Sequence, residues 1–510
     1  MTECAQARIL HTSMKSITVA LSAADLRISP DVLSYYLRHR DIEEIIAIST
    51  SGPEMEGVRI VEGKSIFSGM VMKKVLEIAK TNYILVLLPG GKVEWTPMGI
   101  ARLLQASEDS TAGMAYSDYR DVSETNESSS ASSRALIDHP LIDYHIGSLR
   151  DSFDFGGALL ISRQKAVRAL AECGPVDTKL EYGALYDLRL KLSEVSQIRR
   201  VPEYLYVRHP LDRRESGERI FDYVNPLQRA YQIEMESVAT SHLKRIGAHL
   251  STAGAEPPQC TETFPVEATV VIPVRNRVRT IEDSVRSALS QQTTFSYNAI
   301  VVDNHSSDGT SEKLARLLSE DDRLIVIQPA RLDLGIGGCW NEAVFYEKCG
   351  RFVVQLDSDD LYTSTNTLET MVSALKSGPY AMVIGSYTIV DFDLNVLPPG
   401  LIDHREWTDD NGVNNALRIN GLGAPRAFDV PVVRRFGFPN VSYGEDYALA
   451  LRISRDYRIG RVYDSVYMAR RWGGNSDSNL PLETMNRYDA YKDWVRAQEI
   501  MARIEKNRNA

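Results

Sequence analysis

Cysteine is scarce in this chain of 510 residues, with five in all, at positions 4, 173, 260, 339 and 349. They are odd in number and lack CxxC spacing, which excludes a structural zinc site and the disulfide framework of a secreted protein. Long apolar runs are missing as well. The longest, Tyr83 to Leu88, is strand-sized, whereas a membrane span needs roughly 18–20 residues. The opening MTECAQARILHTSMKS has no apolar core of the kind a signal peptide carries. Basic residues are not in excess: Lys+Arg number 58 against 68 Asp+Glu, a net charge of −10, so a nucleic acid is excluded as the main ligand. What is present is ordinary globular usage, with 43% hydrophobic and 25% charged residues, which sets aside collagen-like and disordered classes. The expectation is a soluble, reduced, cytoplasmic protein whose chemistry resides in local sites.

At roughly 150 residues per domain the length suits about three units, or two large ones. Residues 1–13 read as a loose tail. From Ile17 short β-rich runs (ITVAL, EEIIAIS, YILVLL) alternate with amphipathic helices, one of them through Val71, Val75 and Ile78. Such alternation predicts an α/β unit with a mainly parallel sheet. Ser123 to Arg134 is a Ser-rich stretch read as an exposed loop. A helical stretch from Pro226 to Leu250 precedes STAGAEPPQCTET, which has the composition of a linker. The second unit repeats the pattern with ATVVIPV, AIVVDN, RLIVIQ and RFVVQLD. Thr280 and Asp283 form a candidate capping box before Ile281, Val285 and Leu289. The divisions expected are a tail over 1–13, a first unit over 14–235, a helix end and linker over 236–264, a second unit over 265–478, and an amphipathic helix over 479–510.

The two halves resemble each other. YGALYDLRLKLS from Tyr182 lies over YGEDYALALRIS from Tyr443, NYILVLLPGGKVEW from Asn82 over GRFVVQLDSDDLYT from Gly350, and GMAYSDYRDV over AMVIGSYTIVD. The fold class read from this is α/β, two tandem doubly wound units followed by a C-terminal helix. The copies differ at acidic positions. Asp357 to Asp360 face Pro89 to Lys92, and Glu445 and Asp446 face Ala184 and Leu185. The first copy therefore lacks groups that bind metal or take a proton, and is expected to be catalytically silent.

In doubly wound sheets ligands bind beyond the carboxyl ends of the strands, so polar residues there carry the reading. Asp357-Ser358-Asp359-Asp360 offers hard oxygen ligands of the kind Mg²⁺ or Mn²⁺ takes alongside diphosphate; it also suits a plain Asp-rich turn, with Ser364 able to cap the next helix. Asp303, in VVDNHSSDGT, can accept the imide N–H of uracil or thymine, or serve an Asx turn. His305 in that turn reads as solvated. The Gly335-Ile336-Gly337-Gly338-Cys339-Trp340-Asn341 stretch matches neither GxGxxG nor a P-loop, and its backbone can approach a phosphate or ribose; Trp340 suits stacking or the core. Glu445 and Asp446 can act on an acceptor hydroxyl or simply complement a helix dipole. Met485, Tyr488, Tyr491 and Val495 are at helical spacing, suited to packing on the protein or to lying on the inner face of a membrane.

Taken in order, IPVRNR, VVDNHSSDGT, GIGGCWN, LDSDD and GED resemble the family 2 glycosyltransferases of GT-A fold, over about Pro265 to Asp477. The N-terminal half joins through the internal repeat as a degenerate GT-A-like, Rossmann-like copy. The resemblance implies an inverting transfer from a nucleotide-diphosphate sugar, a UDP-sugar being favoured, to a hydroxyl of a glycan, lipid-linked or protein acceptor in cell-surface polysaccharide or glycoconjugate synthesis. By the same resemblance Pro273, Arg275, Asn276 and Asp303 hold the nucleobase, Asp308 lies beside the nucleotide, and Ser358, Gly338 and Asn341 line the nucleotide-sugar site. Asp357 contacts ribose or metal, Asp359 ligates Mn²⁺ or Mg²⁺, Asp446 is the base and Glu445 assists it. Arg470 to Asp477 lacks the late histidine many members carry, and Arg470 and Arg471 suit a diphosphate clamp instead. Asn304 stands where a second Asp is common. Two other readings are a tandem module that binds glycans or proteins without catalysis, and a sugar nucleotidyltransferase; the second wants a glycine-rich loop after the first strand, which VIPVRNR does not supply.

Overall fold

The computed structural model describes residues 16–24, 30–50, 56–123, 135–210, 225–251, 254–475 and 480–510. The expected tail over 1–13, most of the Ser-rich stretch and Asp477 lie outside them. The chain divides into two compact units, one of residues 1–145 and 153–213, the other of residues 146–152 and 214–510.

In the first unit the strands are β1 (Ile17–Ser22), β2 (Ile42–Ser49), β3 (Val58–Glu62), β4 (Tyr83–Leu87), β5 (Gly91–Trp95), β6 (Met114–Ser123), β7 (Ala135–His139), β8 (Ala158–Ser162) and β9 (Ile198–Pro210). Between them run helices α1 (Pro30–Arg38), α2 (Gly69–Ile78), α3 (Gly99–Ser110), α4 (Arg163–Cys173) and α5 (Ala184–Val195). The sheet order is β3-β2-β1-β4-β8-β6-β9-β5, with β7 on the side of β6.

The second unit opens with helix α6 (Arg229–Arg245), so the boundary expected at 235/236 falls inside a helix. Its strands are β10 (Ala268–Val274), β11 (Tyr297–Asp303), β12 (Leu324–Ile327), β13 (Phe352–Gln355), β14 (Leu361–Tyr362), β15 (Tyr380–Val390), β16 (Val396–Ile402), β17 (Arg426–Asp429) and β18 (Arg458–Arg470). The helices are α7 (Ile281–Leu289), α8 (Thr310–Leu318), α9 (Ile336–Val344), α10 (Thr367–Lys376), α11 (Gly412–Asn415), α12 (Val430–Phe436), α13 (Glu445–Asp456) and α14 (Leu482–Arg508). The order β12-β11-β10-β13-β17-β15-β18-β14, with β16 beside β15, repeats that of the first unit strand for strand. The expected α/β class is thus present twice in one chain.

The physical reason is legible in the strands. β10 and β11 are covered on both faces and read as nearly unbroken apolar runs, the signature of parallel strands; Val270, Val271, Ile300, Val301 and Val302 are fully buried, each contributing roughly 1.5–3 kcal/mol of transfer free energy. β12, β11, β10 and β13 run parallel, so their carboxyl ends face one way. The antiparallel β17 then joins β13 to β15. Tyr387 pairs with Tyr467 where Tyr119 pairs with Tyr206.

The ladders adjust the sequence alignment by one residue. Met114 pairs with Ile161, itself paired with Ile84; Met382 pairs with Phe428, itself paired with Val353. Ile84 therefore overlies Val353, and Leu88 to Gly91, rather than Pro89 to Lys92, lies opposite Asp357 to Asp360. The substitution of uncharged for acidic groups is unaffected. At the other motif the register holds: α5 and α13 each begin one residue after a glycine cap, Gly183 and Gly444.

Helix α14 packs within the second unit differently from the expected pattern. Its buried positions are Lys492, Asp493, Val495, Arg496, Ala497, Glu499, Ile500 and Arg503, a face rich in charge, while Met485, Tyr488 and Tyr491 are only partly covered. The two buried arginines are paired: Arg496 with Asp493 at 2.7 Å, Arg503 with Glu499 at 2.7 Å. Among the described residues no helix is long and apolar enough to cross a membrane.

Candidate active site

The acidic turn after β13 is held from three directions. Thr280 does not close a capping box; its hydroxyl donates to the Ser358 carbonyl at 2.8 Å. The Ser284 hydroxyl donates to the Asp360 carbonyl at 2.9 Å. From β18, the Arg470 amide donates to Asp360 Oδ1 at 2.8 Å, and its guanidinium bonds the Asp359 carbonyl and pairs with Asp283 at 2.8 Å. Arg470 is 3% exposed. Of the two arginines expected as a diphosphate clamp, this one is committed inward as the key of the turn. Arg471 is partly exposed, and its amide donates to the Val390 carbonyl at 2.8 Å.

The three carboxylates of the turn press on one another. Burial, then the charge of Asp357, pushes the Asp359 carboxyl above its ordinary range, against the pull of Arg277. Asp360 is pushed well above it by burial, then by Asp359 and Asp357. Asp359 Oδ2 accepts from Trp472 Nε1 at 3.2 Å and Asn475 Nδ2 at 3.3 Å, with Arg277 Nε 3.6 Å away. Hard oxygen donors under mutual repulsion fit a divalent cation, which relieves that repulsion. Among the described residues no trio of His, Cys, Asp or Glu is arranged as a complete metal site; Asp357 and Asp359 are the two carboxylates of the turn that would hold such a cation alongside diphosphate oxygens.

Asp357 is also tied to the GED motif. Gln355 Nε2 donates to Asp357 Oδ1 at 2.9 Å, and Arg426 Nε donates to Gln355 Oε1 at 3.0 Å. The other end of that guanidinium pairs with Asp446 Oδ2, and Asp446 Oδ1 accepts from the Tyr447 amide at 2.6 Å. Glu445 is buried with Oε2 lacking a hydrogen-bond partner. Burial raises its carboxyl; among neighbouring charges Arg426 and Lys492 lower it and Asp357 raises it, so Glu445 feels the acidic turn as well. Gly444 adopts φ +81°, a left-handed conformation open to glycine at little cost. Asp357, Asp359, Glu445 and Asp446 therefore belong to one electrostatic system.

The β10 and β11 ends form an adjoining network. Asp303 is 2% exposed; it accepts from the Ser306 amide at 3.1 Å and from the Ser311 hydroxyl. Asp308 accepts from the Val278 amide at 3.0 Å and the Thr310 hydroxyl at 2.6 Å. Slight burial works to raise its carboxyl, and these donors outweigh it, holding the group below its usual range. Asn276, at φ +54°, accepts from the Ser307 amide at 2.8 Å. Thr310 also takes the Arg277 amide at 2.8 Å, so this loop leads through Arg277 to Asp359. Pro273 lies in β10, and Arg275 is exposed. His305 faces the Arg331 carbonyl at 3.0 Å.

Gly338 and Asn341, expected to line the nucleotide-sugar site, serve internal packing. Asn341 braces Phe438 through both backbone groups, at 2.8 and 2.9 Å. A Cβ at Gly337 would collide with the Pro439 carbonyl, and one at Gly338 with Asn440. Trp340 is 5% exposed and stacks on Phe438 at 5.0 Å, a core residue. Sequence reasoning missed Arg426, Gln355, Trp472 and Asn475. Single residues without spacing carry no motif, and only the folded chain brings them to the carboxylates.

The strand order, the acidic turn and the linked carboxylates share one crest of the second sheet. Residues 269–429 match the family model for glycosyl transferase family 2. The matched segment runs from β10 to the end of β17 and holds Asp303, Asp357, Asp359 and Arg426; Glu445, Asp446, Arg470 and Trp472 follow it. Over 132 residues the chain is 36% identical to glycosyltransferase AglD of Haloferax volcanii, covering 25% of this chain and 20% of that protein. The chain thus spans about a fifth of that relative's length. Among solved structures it is similar to S. aureus TarS 1-349, with 19% identity, a TM-score of 0.34, and 46% of this chain and 71% of that one covered. It is also similar to the mannosyltransferase PcManGT from Pyrobaculum calidifontis, in complex with GDP-Man and Mn²⁺, with 18% identity, a TM-score of 0.33, and 56% and 86% covered.

Proposed function

We propose that the second unit transfers a sugar, with inversion, from a nucleotide-diphosphate sugar to a hydroxyl acceptor. The observation that carries this is the hydrogen-bonded chain Asp446–Arg426–Gln355–Asp357, which couples a candidate base to a carboxylate suited to the donor side. Asp446 retains 23% side-chain exposure and takes the acceptor proton as the hydroxyl attacks; Arg426, paired with its Oδ2, aims it. Glu445, buried behind Asp446, assists in positioning it. Arg277 and Arg471 meet diphosphate oxygens, and the Pro273–Asn276 loop with Asp303 and Asp308 shapes the nucleotide end. When bound at Asp357 and Asp359, Mn²⁺ or Mg²⁺ would offset the charge that develops on the departing diphosphate. The donor class, a UDP-sugar before a GDP-sugar, follows from the Asp303 reading; a glycan or glycoconjugate acceptor follows from the family resemblance.

The first unit is a non-catalytic copy: Leu88 to Gly91 and Ala184-Leu185 stand where the second unit has its acids. A thermal-shift screen of UDP- and GDP-sugars with and without Mn²⁺ tests the proposal, since a ligand of the folded state raises Tm. Stabilisation by a donor in the presence of metal, followed by release of nucleoside diphosphate, is the expected result. No shift with any nucleotide under any metal condition would support the non-catalytic reading.

A further inference from the structure

Helix α14 lies beyond the family 2 segment, yet it places a cation inside the unit against the GED turn. Lys492 is 6% exposed. Its ammonium donates to the Asn420 carbonyl at 2.7 Å and lies 4.2 Å from the Tyr443 ring centroid and 5.8 Å from that of Tyr447. Its methylenes pack on the glycine cap of α13: a Cβ at Gly444 would sit 3.2 Å from Lys492 Cε and 3.5 Å from Tyr491 Cδ1. Tyr443 is further held by a face-to-face stack on Tyr488, with centroids 4.3 Å apart. None of the ion pairs formed among the described residues involves this ammonium. A buried, unpaired lysine is costly to the fold, and a hydrophobic residue would fill the same space without that cost. The charges facing it come from several elements: Asp489 and Arg496 on its own helix, Glu445 on α13 and Arg150 from the 146–152 segment.

We propose that Lys492, in its protonated form, is a positioning residue for the Tyr443–Asp446 turn, fixing Tyr443 by its charge and stabilising the ionised Glu445 carboxylate behind the base. This rests on the function proposed above and extends the working unit to α14. Burial, with Arg496 adding to it and Asp489 and Glu445 opposing, brings the Lys492 ammonium down to about 7. The cation is therefore lost as pH rises through that value, and with it the hold on the turn. Arginine at the same position stays protonated throughout.

The test is the pH–rate profile of nucleoside diphosphate release from the best donor among UDP-glucose, UDP-N-acetylglucosamine and GDP-mannose, for the full chain and for Lys492→Arg and Lys492→Met. In the parent protein kcat is expected to fall about tenfold or more between pH 7 and 9, with nucleoside diphosphate affinity constant. Lys492→Arg keeps its rate within about twofold over the same range, and Lys492→Met shows at pH 7 the reduced rate the parent reaches at pH 9. An alkaline decline that persists unchanged in the arginine variant, or a methionine variant at full rate, would overturn the proposal. A uniform loss across pH in both variants would also overturn it, marking a packing role alone. Should the methionine variant fail to fold, the arginine profile decides by itself. Absence of turnover in the parent protein with every donor refutes the proposed function and this role together, whereas turnover with an unmoved profile refutes Lys492 alone.

Discussion

Removing Arg426 while keeping Asp446 separates aim from chemistry. The Arg426 side chain is 12% exposed and that of Asp446 23%, so the pair is shielded but touches water. A hydrogen bond to a charged partner contributes about 1.5–3 kcal/mol, and a neutral one such as that to Gln355 about 1. Since Asp446 can rehydrate, Arg426→Met is expected to cost about 2 kcal/mol of unfolding free energy in urea denaturation. Its kinetic effect should be larger than the stability loss suggests, because a base displaced by about 1 Å costs on the order of 100-fold in rate. Asp446→Asn removes the proton acceptor and should lower kcat about 10²–10⁴-fold while nucleoside diphosphate affinity by calorimetry stays within about twofold. The double variant decides the reasoning. If Arg426 acts through Asp446, the double variant is no slower than Asp446→Asn, giving a coupling of about 1–3 kcal/mol. Rates that simply multiply, or full turnover in Asp446→Asn, would refute the assignment.

Other outcomes follow from the same contacts. Trp472 donates to Asp359, so Mn²⁺ with a nucleoside diphosphate should change tryptophan fluorescence, and Trp472→Phe should abolish the change; a response intact in the variant places the reporter elsewhere. Asp360 has its carboxyl raised in the folded state by burial and by its acidic neighbours. Its contribution to stability is present below the ordinary carboxylate range and is lost as pH rises through the raised value. Asp360→Asn should therefore raise Tm at pH 7 and flatten its dependence on pH above 4; an unchanged profile would contradict this. Because the first unit lacks the acids, Asp357→Asn/Asp359→Asn in the full chain should abolish metal-dependent nucleotide binding. Residual metal-dependent binding in a titration would locate a second site and end the silent-copy reading.

The sheet was legible because its central strands are covered on both faces, so β10, β11 and β4 announce themselves as apolar runs. The two-residue β14 and the Pro-containing β16 could not be read: too few residues alternate to make a pattern, and their pairing is decided by β18 and β15. The one-residue slip between β4 and β13 has the same origin, since an apolar run looks alike in neighbouring registers and only the ladder to β8 or β17 fixes it. At the site, the clustered acids were visible as motifs. Arg426 was not, nor was the inward role of Arg470, because the meaning of each comes from segments distant in sequence. A glycine-rich helix start such as that of Gly337 and Gly338 suits a ligand or a close neighbour equally, and the neighbours the fold supplies are Pro439 and Asn440.

The repeated strand order sets a problem during synthesis. Every strand of one sheet has a counterpart in the same polypeptide with corresponding neighbours, so β1 could zip onto β11 as readily as onto β2 if strand order alone decided. Intramolecular mispairing of this kind is the characteristic hazard of duplicated domains. Divergence is a safeguard, and it extends beyond the acidic positions: where β13 places Gln355 beside Arg426, β4 carries Val86, so a strand exchanged between the sheets would cost the half-buried Arg426 guanidinium one of its acceptors. The Gln355–Arg426 bond that ties Asp357 to Asp446 thus also marks β13 as the partner strand of β17.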